Sequence, residues 1–111
     1  MSHVAEVTDA TFDQEVLGSE VPVLVDFWAA WCAPCRQMSP IVEEIATQHG
    51  QSMKFAKLDT DANPETAMRY GIVSIPTFNV YSGGELVKSI IGGRPKKALL
   101  AELQDYLDAG R

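Results

Sequence analysis

The chain contains two cysteines, Cys32 and Cys35, which stand three residues apart in the stretch WAAWCAPCRQMSP. An apolar run precedes them and a helical pattern follows, which places the pair where a strand ends and a helix begins. Unpaired N–H groups and the positive end of the helix dipole lower the pKa of a thiol at such a position. Cβ atoms three residues apart on a helix lie about 5–6 Å apart, so a disulfide closes with modest adjustment. We therefore expect an exposed, acidified thiol at Cys32, a sheltered thiol at Cys35 and reversible dithiol–disulfide exchange.

Three other interpretations of the pair stay open at this point. A zinc site needs two further ligands, and the candidates are His3 and His49, which lack finger-like spacing. A structural disulfide would close a loop too short to stabilise the fold much. The cysteines could also be ordinary core residues at helical spacing.

Two charged residues interrupt apolar strands. Asp26 lies within the run VPVLVDFWA, where a buried carboxylate requires either a raised pKa or a partner. Lys57 lies within the apolar run MKFAKLD. The alternative interpretations are an Asp26 at a strand end in solvent and a Lys57 on the protein surface.

Composition limits the class of protein. The 111 residues suffice for one domain, and a 46% share of hydrophobic residues provides a core without disulfide staples. The net charge of −6 argues against nucleic-acid binding, which requires clustered Lys and Arg. The N-terminal stretch does not have the pattern of a signal peptide, and no segment has the pattern of a membrane span. We therefore expect a cytoplasmic protein in a reducing compartment, where cysteine pairs are typically catalytic, redox-sensing or metal-binding.

The hydrophobic patterns predict five strands and four helices in the order β-α-β-α-β-α-β-β-α. The predicted strands are 4–8, 21–29, 53–59, 76–81 and 85–91, the last two joined by a Gly83-Gly84 turn. The first helix runs through Phe12 with Thr8 or Asp9 as its cap, the second covers about 34–49, the third has Asn63 as N-cap, and the last covers 96–109. Strand–helix–strand units require parallel pairing, and the final hairpin is antiparallel. The result is an α/β protein with a mixed sheet and helices on both faces.

The chain resembles the thioredoxins over nearly its whole length. The stretches that carry the resemblance are VLVDFWAAWCAPC, KLDTDANP, YGIVSIPTF and the GG before the last helix. The resemblance implies a thioredoxin fold, with a mixed central five-stranded sheet flanked by four helices, in a single domain over residues 1–111. It also implies a monomer, and the charge and hydrophobic patterns above argue against nucleic-acid or membrane partners.

The same resemblance assigns roles around the cysteines. Cys32 would be the nucleophile that attacks a substrate disulfide, and Cys35 would resolve the mixed disulfide, with Pro34 between them. Asp26 would accept the proton of Cys35, and Lys57 would tune the proton affinity of Asp26. The oxidised chain, with its redox disulfide Cys32–Cys35, would be re-reduced by thioredoxin reductase, an NADPH-dependent flavoprotein. No bound cofactor or metal is expected.

A substrate-docking surface is implied as well. Its residues would be Trp31, Ser74, Ile75, Pro76, Gly92 and Gly93. Pro76 would form a cis peptide bond, although most X–Pro bonds are trans. Ile75 would offer backbone groups to an extended substrate segment. The glycine pair by itself would also fit a simple turn.

Some departures from the family pattern and two rival functions accompany the resemblance. Ala33 replaces the usual glycine between Cys32 and the proline, and the two residues between the cysteines help to set the redox potential and the thiol acidity. Asn79 stands at a strand position that is usually apolar, so it needs a polar partner if it is buried. The rival functions are an oxidant or isomerase on the same fold, and a docking or chaperone-like subunit whose cysteines are dispensable.

Overall fold

A computed structural model describes residues 2–109; Met1, Gly110 and Arg111 of the predicted domain lie outside the described residues. Within this range the elements follow the predicted order. The strands are β1 (Ala5–Glu6), β2 (Val23–Trp28), β3 (Lys54–Asp59), β4 (Thr77–Ser82) and β5 (Glu85–Ile91). The helices are α1 (Asp13–Leu17), α2 (Ala33–His49), α3 (Pro64–Arg69) and α4 (Lys96–Ala109).

The strands form a mixed sheet in the order β1-β3-β2-β4-β5 among the described residues. β3 pairs in parallel with both β1 and β2, whereas β4 pairs antiparallel with β2 and β5. The predicted mixed α/β architecture is therefore confirmed. The central strand, β2, carries Asp26 and ends just before the cysteines.

Two hydrophobic cores cover the two faces of the sheet. One core joins residues of α2 and α4 to Leu24, Phe55 and Phe78. The other joins residues of the α1 region to Val25, Phe27 and Leu58. Alternate residues of β2 enter opposite cores, as expected for a strand buried on both faces. No helix within residues 2–109 is long and apolar enough to cross a bilayer.

The first helix and first strand are shorter than the pattern indicated. The strand covers two residues instead of 4–8, and the helix is a five-residue π-type turn in which Gly18 N–H bonds to Asp13 O at 2.9 Å. The side chain of Thr8 and that of Thr11 each accept a hydrogen bond from the other's backbone N–H. Thr8 therefore stabilises the turn that leads into α1, in the manner of a capping box.

Asp9 caps a different helix from the predicted one. Its carboxylate accepts the backbone N–H groups of Glu65 and Thr66 at 3.2 and 2.8 Å, in the first turn of α3. Asn63 occupies the N-cap position of α3, as predicted, but its side chain makes no capping bond there. Its Oδ1 instead accepts the N–H of Asp9 at 2.9 Å. The cap of α3 is thus supplied by a residue more than fifty positions earlier.

Asn79 is completely buried in β4 and has the polar partners that its burial requires. Its Nδ2 donates to Tyr81 Oη at 3.0 Å, and its Oδ1 accepts from Ser89 Oγ at 2.7 Å. This network joins β4 to β5 inside the sheet. The predicted need for a partner is confirmed.

Candidate active site

The two cysteines form a disulfide at the start of α2, with their Cα atoms 5.3 Å apart. Cys32 is the N-cap residue, in an extended conformation, and Pro34 lies in the first turn. The N–H of Cys35 donates to Cys32 Sγ at 3.2 Å. A thiolate at Cys32 would therefore meet a backbone donor and the positive end of a 17-residue helix, which both stabilise negative charge.

The zinc alternative is wrong on geometric grounds. His49 is the last residue of α2, so about 20 Å of helix separates it from Cys35. His3 contacts Thr47 near the same far end of the helix, with Nδ1 and Oγ1 3.2 Å apart. Neither histidine can share a metal ion with the cysteines.

Cys32 is less exposed than predicted in this disulfide form. Only 4% of the residue is accessible, and Cys35 is buried too. Ala29, Trp28 and Ile75 pack around the pair. The Cys32 sulfur lies 3.8 Å from the carbonyl oxygen of Ile75. The loop before β4 therefore shelters both sulfurs.

Asp26 is a buried carboxyl beside the disulfide, and the solvent-exposed alternative is wrong. Only 5% of the residue is accessible. Burial raises its pKa to about 7, although the charge of Lys57 lowers it in part. Its Oδ1 has no hydrogen-bond partner within residues 2–109. A group with this proton affinity can accept and release a proton near neutral pH.

A cleft connects Asp26 to the cysteines. It has a volume of about 200 Å³, and its lining residues are Asp26, Trp28, Cys35, Arg36, Ser39 and Lys57. A water molecule occupies about 30 Å³ in the liquid, so the cleft has room for several. The cleft therefore leaves space for water between the Cys35 side chain and the Asp26 carboxyl.

Lys57 lies at the edge of this cleft, partly buried. It stands opposite Asp26 in the parallel pairing of β2 with β3. Its Nζ is 5.8 Å from the centroid of the Trp28 ring, and 32% of its side chain is exposed. The Lys57 side chain is therefore partly buried and partly exposed, so each of the two interpretations of the sequence describes one part of it.

The two tryptophans differ in exposure. Trp31 is 69% exposed, and its Nε1 donates to Asp61 Oδ2 at 2.9 Å. Trp28 is half-buried, and its Nε1 has no partner within residues 2–109. Trp31 is therefore accessible to a partner, whereas Trp28 is partly enclosed by the fold.

The other predicted docking residues gather at the start of β4 and the end of β5. The Ile75–Pro76 peptide bond is cis. Ser74 and Gly93 are exposed, and Ile75 and Gly92 are half-exposed. The N–H of Gly92 donates to Pro76 O at 2.9 Å, and a φ of +94° explains why glycine stands there. The glycine pair therefore does more than form a turn, because it ties the end of β5 to the cis peptide.

Comparison with known proteins identifies the family. The thioredoxin family model matches residues 3–105. The chain belongs to the thioredoxin family. A thioredoxin from Streptomyces clavuligerus is 61% identical over 94 residues, which cover 85% of this chain and 87% of that protein. Thioredoxin 1 from a Nostoc species is 52% identical over 96% of this chain and all of that protein. Thioredoxin from Mycobacterium tuberculosis is 52% identical over 96% and 91% of the two chains.

Family membership and the disulfide together define the activity class. This thioredoxin is a thiol–disulfide oxidoreductase that catalyses dithiol–disulfide exchange through Cys32 and Cys35. Its thioredoxin fold is the five-stranded mixed sheet with four helices described above. The family acts on disulfide substrates.

Sequence reasoning missed two exposed apolar residues in a groove that ends at Val73, next to the predicted docking residue Ser74. Val73 is 93% exposed and Met68 is also highly exposed. Both line a shallow groove of about 390 Å³ that begins at Thr60, next to the Asp61 partner of Trp31. The position of Val73 just before Ser74 was the available signal, but nothing in the pattern showed that its side chain faces solvent.

Proposed function

We propose that this thioredoxin works as a reductant of disulfides in substrate proteins. The Cys32 thiolate attacks one sulfur of the substrate disulfide, and the other substrate sulfur leaves as a thiolate. Cys35 then attacks Cys32 Sγ, which releases the second substrate sulfur and forms the Cys32–Cys35 disulfide. The substrate gains two electrons, and the chain loses them.

Asp26 takes the proton that Cys35 must lose before it attacks. The observation that supports this role is a carboxyl with a pKa of about 7 in the same cleft as Cys35. Lys57, opposite Asp26 in the sheet, adjusts how strongly the carboxyl holds that proton. Pro34 in the first turn fixes the spacing of the two cysteines.

The substrate docks on the surface that surrounds the disulfide. Trp31, Ser74, Ile75, Gly92 and Gly93 contribute to it, together with the cis-Pro76. An extended substrate segment pairs with the backbone of Ile75, whose carbonyl oxygen lies beside the Cys32 sulfur. This contact would bring the substrate disulfide to the nucleophile.

The oxidised protein is returned to the dithiol by thioredoxin reductase with electrons from NADPH. We further propose that it acts as a monomer, as a single domain, in the cytoplasm. In a complete cycle the substrate disulfide takes up two electrons, and the reductase supplies them again from NADPH.

The observation that carries the proposal is the disulfide at the helix N-terminus beside a buried carboxyl. The test is the reduction potential of the Cys32–Cys35 couple, measured by equilibration with graded glutathione buffers and alkylation of free thiols. A potential more negative than that of the glutathione pool is expected for a reductant. A potential at or above the pool would identify an oxidant or isomerase, with Ala33 as the first residue to revert to glycine.

A Cys32→Ser/Cys35→Ser double variant distinguishes disulfide reduction from the docking alternative. Electron donation to insulin disulfides should be lost completely in this variant, whereas a cysteine-independent docking role would survive it. The single variant Cys35→Ser should instead accumulate a mixed disulfide with the substrate, because its resolving thiol is absent.

A further inference from the structure

A third charged residue lies in the same row as Asp26 and Lys57. In the sheet, Lys57 of β3 stands opposite Asp26 of β2 on one side and opposite Glu6 of β1 on the other. Residues that are opposite each other in neighbouring strands project from the same face of a sheet. The lysine is therefore flanked by two carboxylates, one buried and one exposed.

The two carboxylates face different clefts. Asp26 faces the cleft that contains Cys35, and Glu6 faces a second cleft of about 260 Å³, which is also lined by Thr8 and Asp59. Trp28 and Lys57 line both clefts and so form the wall between them. The Lys57 ammonium is 4.0 Å from Glu6 Oε1.

We propose that Glu6 is a positioning residue for the redox centre: it draws the Lys57 ammonium toward the second cleft and so limits its effect on Asp26. This inference rests on the proposed role of Asp26 as proton acceptor. A lysine shared with Glu6 stabilises the Asp26 carboxylate less than an unshared lysine would. Glu6 thereby raises the proton affinity of the Asp26 carboxylate, which strengthens it as the acceptor of the Cys35 proton.

Other charged groups surround the lysine, and they do not replace Glu6. Arg36 of α2 lines the Asp26 cleft, and Asp59 of β3 lines the second cleft. The charge of Lys57 also helps to lower the pKa of Glu43 of α2. The Glu43 carboxylate, however, accepts hydrogen bonds from the backbone N–H of His3 and from Ser2 Oγ. Within residues 2–109, Glu6 is the carboxylate that forms an ion pair with Lys57.

The test measures the titration midpoint of the Asp26 carboxyl by carbon-13 NMR. The oxidised protein is used because its thiols do not titrate. Glu6→Gln should lower the midpoint by about 0.2–0.5 pH units, the range expected for an exposed ion pair. The matched control is Glu85→Gln, an exposed glutamate on the opposite edge strand, which should leave the midpoint unchanged. An unchanged midpoint in Glu6→Gln would overturn the proposal.

A double variant tests whether Glu6 acts through Lys57. In a Lys57→Met background, Glu6→Gln should shift the midpoint by less than half as much as in the wild type. An equal shift in both backgrounds would mean a direct field of Glu6 on Asp26 and would refute the positioning role. Lys57→Gln repeats the comparison if the methionine variant folds poorly.

The pH profile of substrate reduction separates this inference from the proposed function. If Asp26 is the proton acceptor, the profile of Glu6→Gln should move to lower pH by the same amount as the carboxyl titration. A titration that shifts without the profile would leave Glu6 as a partner of Lys57 but remove Asp26 from the proton transfer.

Discussion

Asp26 is the residue whose physical situation is most unusual in this molecule. It lies on the central strand, almost inaccessible, with one carboxyl oxygen that lacks a partner within residues 2–109. Burial favours its neutral form, and the nearby Lys57 offsets only part of that effect. The protein therefore keeps a carboxyl beside its disulfide at a position where burial disfavours the charged form. Such groups are common in functional sites.

Asp26 should make stability fall as the pH rises. Its pKa is raised from 3.8 to about 7, so the unfolded state releases the proton first and unfolding is favoured between these values. The loss is complete above about pH 7 and is on the order of 4 kcal/mol. Asp26→Asn should therefore be more stable than wild type at pH 8 but similar at pH 4, as measured by guanidinium unfolding. Equal differences at both pH values would contradict this, and Asp105→Asn on the surface is the control.

The same substitution should slow exchange while leaving the fold intact. Without the carboxyl, Cys35 must lose its proton to water, so decay of the mixed disulfide at pH 7 should be at least about tenfold slower. The rate should also keep increasing up to a higher pH than in wild type, because deprotonation then follows the ordinary thiol pKa of about 8.5. Single-turnover reduction of insulin across pH 5–9 measures both effects. A wild-type rate near pH 7 would count against the proton transfer.

Individual residues differ in how far the sequence predicts their state. Asp26 stands in an apolar run and Asn79 at a strand position that is usually apolar in the family, so the need for a raised pKa or a polar partner can be predicted from the sequence. The burial of Cys32 could not be predicted, because Ile75, which covers it, lies more than forty positions away. Local patterns show which residues a strand must bury but not which distant loop closes over a sulfur.

At the scale of elements, α3 depends on a residue outside itself. Its first-turn N–H groups bond to the carboxylate of Asp9, while its own N-cap residue, Asn63, bonds elsewhere. Pro64 at its first position and Gly71 just beyond its end mark the bounds of this helix in the sequence. The sequence could not predict a cap that depends on how two loops meet in three dimensions.

Asp9→Ala should destabilise the protein through α3. The substitution leaves two backbone donors without their carboxylate, and loss of such a cap should lower the Tm by about 5 °C. Thermal unfolding followed by circular dichroism measures the change. Asp105→Ala, which removes an exposed aspartate from α4, is the control and should change the Tm by much less. Equal Tm values for Asp9→Ala and wild type would show that water replaces the cap.

At the scale of the whole molecule, an acidic protein exposes apolar residues in the two segments that meet at its redox centre. Trp31, which precedes Cys32, and Val73, two residues before the Ile75 that packs on the cysteines, are both exposed, while the net charge is −6. Exposed apolar residues close to a reactive group are typical of a docking surface. Composition predicts the acidity, but only the fold shows where the apolar exposure concentrates.

This arrangement predicts that docking and sulfur chemistry can be separated. Val73→Asp should raise the KM for a protein disulfide about tenfold, since full burial of a valine contributes about 1.5 kcal/mol. The reduction of a small aromatic disulfide, which covers little of the surface, should keep its wild-type rate. Val87→Asp removes a half-exposed valine near the hairpin end of β5 and is the matched control. If both substrates slowed equally, Val73 would act on the redox centre itself. If neither slowed, the substrate would approach from the side of Gly92 and Gly93 without covering the groove.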